Sequence, residues 1–210
     1  MIRFEHRGIG ASGQGNADRY TTRFFAADAV AVLQAAGVEA AHVYGHSMGG
    51  RVAQWVAIDQ PHRVRALVLA ATTGGRRQDS EQNNTAMAAL LSGDFELMIP
   101  LLFDPEWANQ HPDVTRTFVD SQASAWVKSR HFKASREHDA WDDLASIKAP
   151  TLILHGTDDA LTPLWNGTLL HQHIRRSTLV RVPGARHGLH LDHPETANWI
   201  RQFISAKSTR

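Results

Sequence analysis

The serine in Gly45-His46-Ser47-Met48-Gly49-Gly50 stands between a short β-rich run, His42–Tyr44, and a helical pattern that starts near Met48. A strand presents a serine at its tip only through a sharp, crowded turn, and small residues two positions before and two after it relieve that crowding. The turn also aims the Met48 N–H, at the start of a helix, at the place where an oxyanion would form. Ser47 is therefore a candidate nucleophile and Met48 a candidate oxyanion donor. A serine nucleophile needs a base, and the base needs an orienting carboxylate. Two acids, Asp158 and Asp159, follow the apolar run Thr151–His155, and His187 follows the run Thr178–Val182 in Pro183-Gly184-Ala185-Arg186-His187-Gly188.

These candidates all lie just past the ends of β-rich runs, so a sheet has to position them. The runs are Ile2–Glu5, His42–Tyr44, Ala66–Ala70, Thr151–His155 and Thr178–Val182, and those after the first are near-continuously apolar. That pattern marks strands buried on both faces of a parallel sheet. Amphipathic segments alternate with them: Thr22–Ala36 before Gly37, Met48–Gln60 before Pro61, Pro163–Ile174 and Pro194–Ala206. Strand–helix alternation predicts an α/β fold with a mostly parallel sheet flanked by helices. Residues 75–145 break the rhythm with helical, polar–aromatic sequence that holds Met87, Phe95, Met98, Phe103, Trp107, Phe118, Trp126, Phe132 and Trp141. The expected organisation is a core portion at 1–74 carrying the serine turn, a helical insert at 75–145 over the C-terminal edge of the sheet, and a core portion at 146–210 carrying the acid and histidine loops. Most of these aromatics read as packing, with a minority lining an apolar pocket.

Composition narrows the chemistry. The 210 residues hold 42% hydrophobic and 20% charged side chains, the balance of a globular chain able to bury a core. Lys and Arg number 22 against 21 Asp and Glu, a net charge of +1 that disfavours nucleic acid as a partner. With no cysteine, disulfides, thiolate nucleophiles and Cys-based metal sites are excluded. No apolar run approaches the ~20 residues needed to span a bilayer. The first residues carry no signal-peptide h-region, so a cytoplasmic location is expected. Gly8-Ile9-Gly10-Ala11-Ser12-Gly13 fits the dinucleotide fingerprint in form, but the polar stretch Gln14 to Tyr20 separates it from the helix that would cradle a pyrophosphate. His187, His190 and His193, like His171 and His173, read as loop and surface residues rather than metal ligands. His46 reads as a packing or hydrogen-bonding residue, and Arg76 and Arg77 as solvated charges, with contact to a substrate carboxylate as the alternative.

The order Ser47, Asp, His187 is that of the α/β-hydrolases, and the chain resembles that superfamily along its whole length, within it the lid-bearing serine esterase and lactonase-like group. Arg3-Phe4-Glu5-His6-Arg7-Gly8-Ile9-Gly10-Ala11-Ser12 is similar to the family's fourth strand and its following D-x-R-G-x-G-x-S loop, with Glu5 where Asp is usual. Asp142-Asp143-Leu144 with Ile147-Lys148-Ala149-Pro150 resembles the return from the lid, and Gly184-Ala185-Arg186-His187 resembles G-A-G-H, departing at Arg186. The family's G-x-x-D-x-x-x-P spacing selects Asp159 as the acid and leaves Asp158 to cap the loop.

The resemblance implies hydrolysis of a carboxylic ester or lactone with a small or medium apolar acyl group, through an acyl-enzyme, with no cofactor and no metal. Related chemistries on the same triad are carbon–carbon bond hydrolysis and cofactor-free perhydrolysis. The family's third strand and its His-Gly oxyanion loop precede the fourth strand, so this chain is expected to behave as an N-terminally truncated member. Ile2–Glu5 would then pair directly with His42–Tyr44, move elsewhere or stay loose, and an incomplete sheet edge would favour a homo-oligomer. The alternative function is a weakly active or non-catalytic remnant that binds small apolar ligands.

Overall fold

The computed structural model describes residues 1–76, 83–119 and 123–208. One wholly parallel sheet runs in the order β1 (Ala41–His46), β2 (Val64–Ala70), β3 (Thr151–Gly156) and β4 (Ser177–Val182). Helices α1 (Thr22–Ala35) and α2 (Met48–Asp59) flank β1 in sequence. Between β2 and β3 come α3 (Asn84–Ser92), α4 (Phe95–Leu102), α5 (Pro105–Gln110), α6 (Pro112–Val119) and α7 (Ala125–Arg136). The chain closes with α8 (Leu164–His173), α9 (Leu189–Asp192) and α10 (Glu195–Ser208). Parallel neighbours require crossover connections, and α2 and α8 supply the two short ones.

The two central strands, β2 and β3, are buried on both sides as expected, whereas β1 and β4, at the sheet edges, are only partly buried. Leu67, Leu69 and Ile153 face a core shared with Phe25 of α1, Trp55 and Val56 of α2, and Leu169 and Leu170 of α8. Val68, Ala70, Leu152 and Leu154 face the opposite layer, where Leu189 of α9 and Trp199, Ile200 and Phe203 of α10 pack. Alternate residues of one apolar run thus serve two cores, each fully buried Leu or Ile contributing ~1.5–3 kcal/mol. Helix starts follow their caps: Thr21 Oγ1 accepts from Phe24 N at 3.0 Å for α1, and Asp104 Oδ1 accepts from Glu106 and Trp107 N ahead of Pro105 for α5.

Ile2–Glu5 does not form the expected strand. Residues 1–6 have no strand partner, and Ile2 and Phe4 are exposed. The following loop is tied to helices instead: the Arg7 guanidinium holds Asp28 of α1 through bonds of 2.7 and 2.5 Å, and His131 of α7 donates from Nε2 to Arg7 O at 2.9 Å. Those anchors hold the segment on the helical layer, leaving β1 as an edge strand. Its backbone groups turn inward, with Gly8 N bonded to Ser12 O and Gly13 O, and Ala11 N to Glu5 Oε2. Gly8–Gly13 therefore has few free amides with which to cradle a phosphate.

A directed hydrogen-bond line stitches the layers behind the serine turn. Trp55 Nε1 donates to Thr22 Oγ1 at 3.2 Å, and Thr22 Oγ1 meets His138 Nδ1 at 2.9 Å. His138 Nε2 meets Gln54 Oε1 at 3.2 Å, and Gln54 Nε2 donates to Thr73 O at 3.1 Å. Burial, and then the charge of Arg51, push His138 down to about 3, so its ring is neutral, with the proton on Nε2.

Candidate active site

β1 ends at His46, and Ser47 follows with φ 53° and ψ −118° at the N-cap of α2. A positive φ on a non-glycine residue costs roughly 1–3 kcal/mol and needs surrounding support. That support comes from β2 and the residues after it: Ser47 N donates to Ala70 O at 2.9 Å, and Thr72 Oγ1 donates to Ser47 O at 2.7 Å. A serine at an N-cap normally accepts from the first helical amides. Here it makes no such cap bond, and its Oγ lies 2.9 Å from His187 Nε2.

The crowding in the turn falls on Gly45, as expected, and on Gly50 in place of Gly49. A Cβ on Gly45 would come within 2.3 Å of Gly49 O, and one on Gly50 within 2.7 Å of the Thr72 side chain. A Cβ on Gly49 would meet nothing within 4 Å. The close approach of α2 to the end of β1 thus needs Gly45, its approach to the residues after β2 needs Gly50, and Gly49 is dispensable for space.

Asp159, buried beyond the end of β3, places Oδ2 2.9 Å from His187 Nδ1. Its Oδ1 accepts from Leu161 N at 3.0 Å and Thr162 N at 2.8 Å, which fixes the carboxylate plane. Asp158 points away and accepts from Thr157 Oγ1 at 2.8 Å in an exposed position. The buried His155 closes the same loop through Nε2 to Thr162 O at 2.6 Å.

His187 sits in the turn beyond β4 and is held at both backbone ends. Its N bonds Leu101 O at 3.3 Å, and the next amide, Gly188 N, bonds Leu102 O at 2.6 Å, both carbonyls belonging to α4. His187 O lies 2.7 Å from His46 Nε2. Burial, and then the neighbouring His187 and His190, push His46 well below the ordinary histidine range, so it is a neutral Nε2–H donor. Arg186, where the resembled motif has glycine, reaches Pro100 O at 2.5 Å.

The structure therefore brings Ser47, His187 and Asp159 into one hydrogen-bonded line and leaves Asp158 outside it. Met48 N–H is the first amide of α2, a position without an intrahelical acceptor. A cavity of about 130 Å³ opens on Ser47 and His187, close to the size that admits a benzene-scale ligand. Of the aromatics in residues 75–145, Phe132 lines it, while Phe103, Trp107 and Phe118 pack on one another and Trp126 stacks under Arg130. The remaining lining is more polar than the aromatic content of this segment suggested, with Arg51, Arg76, Arg136 and His138 among it. Arg51 and His138 escaped sequence reasoning. Their only signal was polarity interrupting an apolar helix one turn after Ser47, and a histidine ahead of the return to β3. Arg77 lies outside the described residues. Among the described residues no group of histidines and carboxylates has the arrangement of a metal site, and no helix is long and apolar enough to cross a membrane.

Comparison with known proteins gives the same architecture. The family model for the alpha/beta hydrolase fold matches residues 1–194. A RutD protein of Azorhizobium caulinodans, named for carbamate hydrolysis, is 31% identical over 208 residues, spanning 94% of this chain and 78% of its own length. The 3-oxoadipate enol-lactonase 1 of Acinetobacter baylyi is 27% identical, with 93% of this chain and 74% of that protein aligned. A thermophilic esterase from Thermogutta terrifontis superimposes with a TM-score of 0.77 at 25% identity, covering 98% of this chain and 79% of the esterase.

Proposed function

The chain belongs to the α/β-hydrolase family, and we propose that it is a serine hydrolase cleaving a small carboxylic ester or lactone through an acyl-enzyme. One observation carries this reading: the unbroken line from Ser47 Oγ through His187 to Asp159, with 2.9 Å at each junction, at the mouth of a cavity. The coarser statement, that the relatives are hydrolases of this fold, follows from the family match. The finer one is supported by relatives named as an enol-lactonase and an esterase.

In the proposed reaction Asp159 accepts the Nδ1–H of His187, which leaves Nε2 to take the Ser47 proton as Oγ attacks the acyl carbon. The tetrahedral oxyanion forms beside the Met48 N–H, where the α2 N-terminus adds favourable potential. His187 then protonates the departing alkoxide. In the second half it removes a proton from water, which attacks the acyl carbon and releases the acid and free Ser47. The acid loop and the His46 bond to His187 O hold the imidazole plane through both halves. No step calls for a metal or an organic cofactor.

A fluorophosphonate probe tests the reading directly. Labelling confined to Ser47, and lost in Ser47→Ala, is the expected result. A folded protein that resists the probe would overturn the reading and leave the non-catalytic binding alternative.

A further inference from the structure

The cavity that opens on the triad is lined by cations, with no acid among its described lining residues. Three of those residues are arginines, Arg51, Arg76 and Arg136. Among the described residues, two acids close in sequence to the lining are engaged elsewhere. Asp159 is bound to His187 and its own loop, and Glu137 turns to Arg19 at 2.7 Å. Arg51 is the least hydrated of the three. It stands one helical turn after Ser47, and its Nη1 donates to Ser135 O and Oγ at 2.5 and 2.6 Å. Among the described residues its buried Nε has no hydrogen-bond partner. Burial pushes this guanidinium down to about 10, which leaves it charged at neutral pH.

A buried cation without a carboxylate partner is costly to keep. Guanidinium groups are suited to carboxylates because their planar donors match two oxygens at once. Phe132 lies beneath Arg136, with 5.6 Å from Cζ to the ring centroid, and that stacking limits the freedom of this second guanidinium. Arg76 is exposed at the rim. One interior and two outer guanidiniums facing the same small space form a graded electrostatic path toward the serine.

We propose that this cavity takes an anionic substrate, a small ester or lactone bearing a free carboxylate away from its scissile carbonyl, with Arg51 as the inner contact and Arg76 and Arg136 as the outer ones. This rests on the serine-hydrolase reading and narrows it from a neutral apolar acyl group to a charged one. The cavity volume of about 130 Å³ limits the acid to a few carbons beyond the carbonyl.

The test measures how fast a fluorophosphonate probe labels Ser47 when succinate, or its uncharged isostere succinamide, competes at matched ionic strength. Succinate should slow labelling in a saturable manner, and succinamide and sodium chloride should not. The half-protecting succinate concentration, referred to each variant's own unprotected rate, should rise about threefold in Arg76→Gln and in Arg136→Gln, as for exposed charges. It should rise roughly 30-fold or more in Arg51→Gln, as for a desolvated one. If Arg51→Gln does not fold, the Arg76→Gln/Arg136→Gln double variant carries the test, with a rise of about tenfold expected if the two outer charges act independently. Equal protection by succinamide or by chloride, or protection that survives loss of the arginines, would overturn the anion proposal with the serine-hydrolase reading intact. Absence of labelling without any competitor would instead remove the reading on which it rests.

Discussion

The serine turn and the helical segment α3–α7 are held in place by different means. The backbone bonds that support Ser47 run to the end of β2, to Thr72 just after it and to the start of α2, and Asp159 is fixed by amides of its own short loop. The helical segment meets the rest of the molecule at contacts of its own, among them His131 to Arg7 O, Arg51 to Ser135, Asp104 N to Asp192, and the α4 carbonyls to the His187 turn. The proposed chemistry thus resides at the ends of the strands, and the cavity wall is shared between Arg51 of α2, Arg76 beyond β2 and the helices α3 and α7. Changes in the first should alter whether a bond is cleaved, and changes in the second which bond.

The sharpest break is Ser47→Ala, expected to reduce ester turnover by ~10⁶ in kcat while leaving the melting temperature nearly unchanged. Turnover within tenfold of the parent would place the chemistry elsewhere. Asp159→Asn should cost ~10⁴, because the amide favours the wrong imidazole tautomer, whereas Asp158→Asn should stay within about twofold. A kinetic comparison giving the reverse ranking would reassign the acid.

Acid should weaken the whole frame. His138 and His6 are pushed down to about 3 and about 4 by burial, from an ordinary 6.5. Between those limits the unfolded chain holds protons that the folded one does not. Stability should therefore fall as pH drops below 6.5, by up to ~1.4 kcal/mol per pH unit for each ring, and be insensitive to these groups above it. Urea midpoints between pH 7.5 and 5 check the slope, and a flat profile would contradict the buried neutral rings.

The two glycines of the turn give a smaller contrast. Gly50→Val should destabilise by about 1–3 kcal/mol through its clash with Thr72, while Gly49→Ala, with open space on a helix, should be neutral or gain up to ~1 kcal/mol. Equal thermal shifts for the two would erase the distinction. The mildest effect belongs to the cavity wall. Phe132→Ala should raise KM by a few-fold with little change in kcat, since the ring touches the cavity and none of the reacting groups.

Residue order and spacing carried most of the core. The apolar runs marked four of the strands, and the strand–Gly–x–Ser–x–Gly–helix grammar marked Ser47, because both are local. Partnership is not local, and there the reading failed. Ile2–Glu5 has strand-forming residues, but whether it pairs depends on Arg7 and His131 engaging α1 and α7. The same limit applies to Gly49 and Gly50. Spacing announces a tight turn, but the direction of each absent Cβ relative to Thr72 is a three-dimensional matter. Arg51 went unnoticed in the sequence because what sets it apart, its cover by α7 through Ser135, is a tertiary contact.

The attachment of the His187 turn to Leu101 and Leu102 has a mechanical consequence. Asp159 and Ser47 move with the sheet, but the imidazole between them is anchored partly to α4, a helix of eight residues with Pro100 inside it. Positional noise in that helix is passed in series to the imidazole, and catalytic constellations tolerate only about 0.5 Å of such error. Leu90 of α3 lines the cavity and packs in one cluster with Ile99, Leu101 and Leu102 of α4, so a ligand seated against Leu90 bears on α4 and steadies the base, and one that does not reach it is held without being well aligned. Occupancy of the wall and alignment of the base are then two readings of a single displacement.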